Sequence, residues 1–456
     1  MKVTISLGLL APLAFTQVLT MDVALREALT SSTQSKIFDE KLVKSREFEH
    51  EKRGLLYPNI GAYANVGRGG QPVQNMAKSL TAASKDSATQ AQAANMPDYT
   101  NVTANTYMYG LQAAGPIYTF GKLSTAIEMA KLQDESVSLS VKRSKQDLQM
   151  QVVEAYSAVV IAQARVQVLT RSKERAEETF KLLDRDFASG KGMKSDVLMA
   201  KATLKSLQPQ ILTSERDADA ARRNFNRLLG RDASDVTPLD TLGILAGAEN
   251  DPLPTRDAAI EQAVKNRADL QSLQVAARVY EGTSKIFQAN YYPTIGYTGK
   301  FGILAYEPDQ LASWTHRQWQ IGVGVTWTIF DGLGKDGANK AQVAEWKSDA
   351  RVFQFQASEL QRSLEIEVDG ALRDRVSADT SLAASIEGRD AATEAVSLLK
   401  GMYPGGSVRL TDVLSAEDGL RSAELGVLSA RFSRIRAIAK LRLAQGQDLI
   451  IVSEEK

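Results

Sequence analysis

The chain has 456 residues, 55 Lys+Arg against 54 Asp+Glu, two His and no Cys. Near-zero net charge removes the electrostatic case for a nucleic-acid binder, which needs a basic stripe to hold phosphates. Without Cys there is no disulfide, thiolate metal site or cysteine nucleophile, and His50 and His316 are too far apart in sequence to promise a multi-histidine site.

At the N-terminus, Lys2 precedes a mostly apolar stretch from Val3 to Phe15, which reads as a secretory signal over residues 1–16. A buried N-terminal segment is the alternative reading. No Cys follows the apolar core, so a diacyl lipid anchor is not expected. Beyond residue 20 no run of eighteen apolar residues occurs, so no transmembrane helix is expected. A β-barrel stays open, because its signal per strand is weak.

Residues 17–230 form a first repeat. An amphipathic, charge-rich helical segment from Val23 to Leu56 leads into YPNIGAY at Tyr57. Here the period changes to two: Ile60, Ala62, Ala64 and Val66 alternate with small or polar residues, predicting a strand over 60–67. A stretch rich in Ala, Ser, Gln and Thr around Gln71 to Asn101 reads as an external loop. Tyr107, Tyr109, Leu111 and Ala113 then mark a second strand over 104–119. A proline-free run predicts a long helix over 121–187 and, after the turn at Phe187 to Gly192, another over 192–229.

Residues 231–255 read as a linker, and 256–446 repeat the first unit. YPTIGYT at Tyr292 matches YPNIGAY, and TIFDGL from Thr328 matches PIYTFG from Pro116. Phe187, Gly190, Asp196, Leu198 and Ala200 match Tyr403, Gly406, Asp412, Leu414 and Ala416, each pair 216 apart (198 to 414). Strands are predicted over 294–304 and 317–330, helices over 334–402 and 408–445, and a tail over 447–456. Internal duplication of this kind is a property of the whole architecture and not of any one motif.

The long helices carry a heptad. Leu148, Ala155, Ala162, Leu169, Ala176 and Leu183 recur every seven residues, and Leu364, Ala371, Ala378, Ser385, Ala392 and Leu399 do so at the same offset. A scaffold coiled coil would suffice for that pattern alone. The strands argue for more. Trp319, Ile321, Val323, Val325, Trp327 and Ile329 alternate with Gln318, Gln320, Gly322, Gly324, Thr326 and Thr328, which suits a wall between lipid and water. Trp319 and Trp327 lie eight residues apart on one face, about 26 Å along a strand at ~3.3 Å per residue. With Tyr107 and Tyr297 they are the candidate membrane-interface aromatics. A soluble sandwich is the alternative, although four strands among so much helix make an odd one. Four strands cannot close a barrel in lipid, so a membrane reading requires oligomerisation; three copies would give twelve strands.

This order of segments resembles the TolC-like outer-membrane efflux protein family from Leu19 to Gly446. The resemblance rests on LTMDVALREAL at Leu19, the paired YPNIGAY and YPTIGYT, PIYTFG and TIFDGL, AVKNRADLQSLQVA from Ala263, and the tip motifs around Asp196 and Asp412. It implies a mainly α fold with a membrane β part. In such a fold a homotrimer carries a twelve-strand barrel in the outer membrane of a Gram-negative bacterium and a long periplasmic α-helical barrel. It further implies a mixed equatorial belt from segments near Asp232–Pro254 and Asp448–Lys456. The implied function is a passive exit duct for efflux or type I secretion, docked to an inner-membrane transporter and a periplasmic adaptor.

Family tips form the closed periplasmic aperture and the adaptor-docking surface. By position, Asp412 falls on an acidic residue lining the constriction, and Tyr403 with Asp196 on a latch pair. Ser415 replaces a second acidic position; Val408 replaces the latch arginine, with Arg409 one residue later. Gly190, Lys191, Gly192, Gly405 and Gly406 are the implied docking tips. Carboxylates repeated by threefold symmetry would attract cations. A trimeric, non-conducting coiled-coil or adhesin-like surface protein is the alternative function. No nucleophile–base pair or phosphate-cradling loop stands out, so neither an enzyme nor a cofactor or metal site is expected, and nucleic acid is not an expected partner.

Overall fold

The structure is a computed structural model that describes residues 18–74, 78, 83, 86–95, 99–236, 238–240, 252–332, 337–403 and 407–449. The expected signal at 1–16, much of the linker, most of the C-terminal tail, and Gly405 and Gly406 lie outside these residues. The helices are α1 (Met21–Ser31), α2 (Thr33–Gly54), α3 (Ser87–Ala94), α4 (Lys122–Ala188), α5 (Lys194–Leu229), α6 (Arg256–Asn266), α7 (Ala268–Gln288), α8 (Ala338–Met402) and α9 (Leu410–Ala444). The strands are β1 (Asn59–Gln74), β2 (Tyr99–Tyr118), β3 (Thr294–Ala305) and β4 (Arg317–Thr326). The chain divides into two compact units: Met1–Lys44, Glu135–Ala276 and Val352–Lys456 in one, Ser45–Asp134 and Ala277–Arg351 in the other.

The first unit is helical, and its core follows the heptads. Leu148, Val152, Ala155, Tyr156 and Val159 of α4 pack with Met21 and Leu25 of α1, Phe225 and Leu229 of α5, and Phe432 and Ile435 of α9. Val368 and Ala371 of α8 meet Ala259 and Ala263 of α6 and Leu441 of α9. The alanines at these seams keep helix axes close, and each fully buried Leu or Val contributes about 1.5–3 kcal/mol. One helix, α4, holds an eighteen-residue window apolar enough to cross a membrane; half of that window is buried, so packing accounts for its apolarity.

Both charge-rich segments that precede the strands read as single helices in the sequence, and both are broken. Ser32 and Arg267 adopt extended backbone between α1 and α2 and between α6 and α7. Neither is Gly or Pro, so no local breaker marks them. The break is set by what packs against it. Gly230 and Gly446, which close α5 and α9 with φ of 78° and 73°, sit directly on these two breaks.

The second unit carries one antiparallel sheet in the order β1-β2-β3-β4, so β1 and β4 are its edges. Register puts the alternating apolar residues on one face: Ala62, Leu111, Phe301 and Trp319 form one cross-strand row, and Ile60, Ala113, Gly299 and Ile321 the next. The opposite face carries Gln112, Lys300 and Gln320. The first hairpin is longer than the expected 60–67 and 104–119, because β1 continues through Gly67 to Gln74 paired to Tyr99. Gly, Arg, Gln and Pro there carry no apolar alternation, so that pairing is invisible to periodicity. Conversely, β4 stops at Thr326, short of 330. Trp327 lies just past its end, where its indole N–H donates to the Tyr291 carbonyl at 3.0 Å.

Candidate functional site

The candidate site lies where α4 turns into α5 and where α9 begins, all within the first unit. Helix α4 ends in a compact turn: Lys191 and Gly192 N–H both donate to the Asp186 carbonyl, at 2.8 and 3.1 Å. Gly190 takes φ of 73°, which a side chain would resist, and a Cβ on Gly192 would lie 3.1 Å from the Phe187 nitrogen. The sequence thus spends its glycines where the chain reverses tightly. Leu183, Ala200 and Leu410, with Phe180, Val197, Tyr403 and Leu414 beside them, form a small apolar cluster that fixes the turn against α9.

Beside this cluster is an open cavity of about 580 Å³, whose lining includes Asp186, Lys191, Gly192, Asp196, Tyr403, Val408 and Arg409. Tyr403 is half-buried. Burial pushes its phenol above the ordinary value, and the carboxylates of Asp196 and Asp186 push it further in the same direction. The phenol therefore stays protonated beside the Asp196 and Asp186 carboxylates. Lys191 and Arg409 bring cations to the same cavity, so its lining carries both signs.

Of the residues expected here, Tyr403, Asp196, Arg409, Lys191 and Gly192 share the cavity. Asp412 and Ser415 are exposed on α9 and are not part of its lining. The Asp412 carboxylate accepts from the Arg409 backbone N–H at 3.0 Å, so it caps the start of α9. Asp186 was not picked out from the sequence. A signal was available: a carboxylate in the last turn of a helix opposes the macrodipole, and such a charge needs another reason to be there.

At the sheet, Trp319 is 71% exposed and Ile321 78% on the apolar face, so the face is bare in the single chain. Tyr107 and Tyr297 lie on this face, half-buried, paired with Val66 and Val323. No group of three or more His, Asp or Glu fit to hold a metal occurs among the described residues.

Known proteins share this fold. The family described as outer membrane efflux protein matches residues 50–231 and again 259–447, which is the duplication itself. The alkaline protease secretion protein AprF of Pseudomonas aeruginosa is 23% identical over 75% of this chain and 70% of its own length. The proteases secretion protein PrtF of Dickeya chrysanthemi is 21% identical over 66% of this chain, and the match spans 64% of PrtF, just under two thirds. The solved outer-membrane channel OprN superposes with a TM-score of 0.75 at 19% identity, over 94% of this chain and 90% of OprN. The chain belongs to the outer membrane efflux protein family: it is an outer-membrane protein with a periplasmic helical extension, and not an enzyme.

Proposed function

We propose that three copies close their sheets into a twelve-strand barrel, giving a passive exit duct for substrates delivered by an inner-membrane transporter through a periplasmic adaptor. One observation carries this reading: a four-stranded sheet with an exposed apolar face and two free edges, β1 and β4. In lipid every unpaired N–H and C=O at those edges costs several kcal/mol, so the edges must pair. Four strands are too few to close on themselves, whereas three copies reach an even number within the range of outer-membrane barrels. The names of AprF and PrtF, both protease secretion proteins, support type I secretion as one route beside efflux.

In this reading residues 1–16 are removed as a signal, and 231–255 with 447–456 form a belt around the helices. The tips close the duct. Tyr403 and Asp196 latch α9 to the α4–α5 turn, Asp412 repeats around the threefold axis as a cation filter, and Gly190 to Gly192 with Gly405 and Gly406 meet the adaptor.

Oligomer mass and planar-bilayer conductance of the detergent-purified protein test the reading together. A conducting trimer whose single-channel conductance rises in Tyr403→Phe/Asp196→Ala supports both duct and latch. An unchanged conductance places the closed state elsewhere. A trimer that never conducts would instead favour the adhesin-like alternative.

A further inference from the structure

We propose that the outer end of the β3–β4 hairpin binds the phosphate of an outer-leaflet glycolipid, with Arg317 as the phosphate ligand between Trp314 and Trp319. The inference rests on the barrel reading above, because it takes the apolar face of the sheet as lipid-facing.

Topology sets the level. β1 follows α2, β2 leads into α4, β3 follows α7 and β4 leads toward α8, so the connections to these four helices are at one end of the sheet, and the short α3 between β1 and β2 is at the other. Arg317 opens β4 and stands at the other end. With the helices periplasmic, that end points outward. Register sets the face. Arg317 pairs with Ile303, in the same row as Tyr109 and Ala64, one row beyond the pair Trp319 and Phe301. A cation thus stands on the apolar face where β4 begins. It is exposed, and no carboxylate pairs with it among the described residues. An arginine so placed reaches along the surface to the headgroups, where the anion it pairs with is a phosphate.

The surface beside it is built. The Tyr109 hydroxyl donates to the Leu311 carbonyl at 2.9 Å, and the Trp314 ring lies 5.9 Å from that of Phe301, tilted by 57°. Ile303 and Ala305 are buried beneath. The loop is therefore held down on the apolar face, which carries the exposed Trp314 to the outer interface. Trp side chains settle at the headgroup level, so Trp314 and Trp319 fix Arg317 at that depth. The other edge strand has the same design: exposed Arg68 lies on this face toward the outer end of β1, two residues past Val66. Closing the barrel brings β4 of one copy beside β1 of the next, so each seam is flanked by Arg317 and the partner subunit's Arg68. Two cations with no carboxylate ion-paired to them among the described residues favour a doubly phosphorylated glycolipid over a zwitterionic phospholipid, whose own ammonium competes for the phosphate.

The test uses the full-length trimer in detergent and measures binding of bisphosphoryl lipid A, its dephosphorylated form and phosphatidylethanolamine by native mass spectrometry. Wild type should retain the bisphosphoryl lipid preferentially. Arg317→Gln should bind it roughly tenfold more weakly, the loss of one charge-assisted hydrogen bond. Arg317→Lys should keep part of the binding, and Lys300→Gln on the opposite face should leave it unchanged. Equal retention of phosphorylated and dephosphorylated lipid would overturn the site, as would full binding in Arg317→Gln or displacement by millimolar inorganic phosphate. A wild-type chain that forms no trimer would overturn the barrel reading itself, and the site with it; a trimer that shows no lipid preference overturns the site alone.

Discussion

Arg267 and Glu367 are held 2.9 Å apart, Nη1 to Oε1, across 100 residues of chain. The Arg267 side chain is 3% exposed and also forms a fork with Asp269, from Nε at 3.0 Å and Nη2 at 2.7 Å. One guanidinium therefore ties the α6–α7 break to α8. Arg267→Met leaves Glu367 and Asp269 without the guanidinium between them and is expected to cost about 3 kcal/mol, the lower end for a broken buried pair because Glu367 remains partly exposed and Arg143 still lies 3.9 Å from Asp269. Lys cannot reproduce the fork, so Arg267→Lys should recover little. Denaturant unfolding of the detergent-purified protein measures both.

The same cluster sets an acid limit. Burial alone would raise the Asp269 carboxyl, but the hydrogen bonds and charge of Arg267, with Arg143 behind it, hold it below the ordinary value. A lowered carboxyl contributes stability in full above its unfolded value, near 3.9, and loses it as pH falls through the folded value. Wild type should therefore lose stability below about pH 4, and Arg267→Met should lack that share of the acid dependence. A pH series of unfolding midpoints with identical acid limbs in the two proteins would refute the assignment.

This cluster also marks where sequence reading stopped. Heptads, paired motifs and strand alternation are local or periodic, so the order of elements and the apolar face of the sheet were legible without coordinates. The break at Arg267 was not, since its cause lies at Glu367 and Gly446, far along the chain. At the tip, Tyr403 and Asp196 were named through the family resemblance, whereas Asp186 falls on none of the positions it carries over. Asp412 was named for a gate and is seen here at a local cap, because a carboxylate at that helical position looks the same for either purpose.

Tyr156 makes a second long-range tie. Its hydroxyl lies 2.9 Å from the Leu19 carbonyl and 2.7 Å from that of Asp240, next to the bridge between Leu19 and Leu239. Burial, then the Asp240 carboxylate, push the phenol well above its ordinary value, so it remains a donor at any working pH. Tyr156→Phe keeps the ring that packs on Phe225 and removes only the donor. The expected cost is about 1 kcal/mol for the lost hydrogen bonds, since the Leu19 carbonyl still accepts from the Asp240 N–H. Hydrogen exchange should rise at residues 19 and 240, whose N–H groups pair in this bridge, before it rises elsewhere.

The two closing glycines should differ from ordinary caps. A Cβ on Gly446 would stand 2.7 Å from the Asn266 carbonyl carbon, and one on Gly230 would stand 2.9 Å from the Ser31 carbonyl oxygen. Each also has positive φ, so alanine meets backbone strain of about 1 kcal/mol before any clash. Gly446→Ala and Gly230→Ala should each lower stability by about 2–4 kcal/mol, the strain plus a forced backbone shift. Gly190→Ala has the strain without a near neighbour and should cost only about 1 kcal/mol. Unfolding midpoints that fail to separate the first pair from the third would mean that the helix breaks yield freely.

The two faces of β4 should respond oppositely to charge. Ile321 is 78% exposed in the single chain, and its face is apolar across all four strands. If that face meets lipid, Ile321→Arg puts a guanidinium into the hydrocarbon one row inside the Trp319 interface, at a cost of about 1–2 kcal/mol, between the interface and midplane values. Gln320 points the other way, beside Lys300, so Gln320→Arg enters a polar lining and should assemble normally. It would also add one positive charge per copy to the duct and shift ion selectivity toward anions. Membrane-fraction yield and reversal potential read these two effects separately. Loss of assembly from Gln320→Arg with tolerance of Ile321→Arg would reverse the faces, and the barrel would then have to close with its apolar side inward.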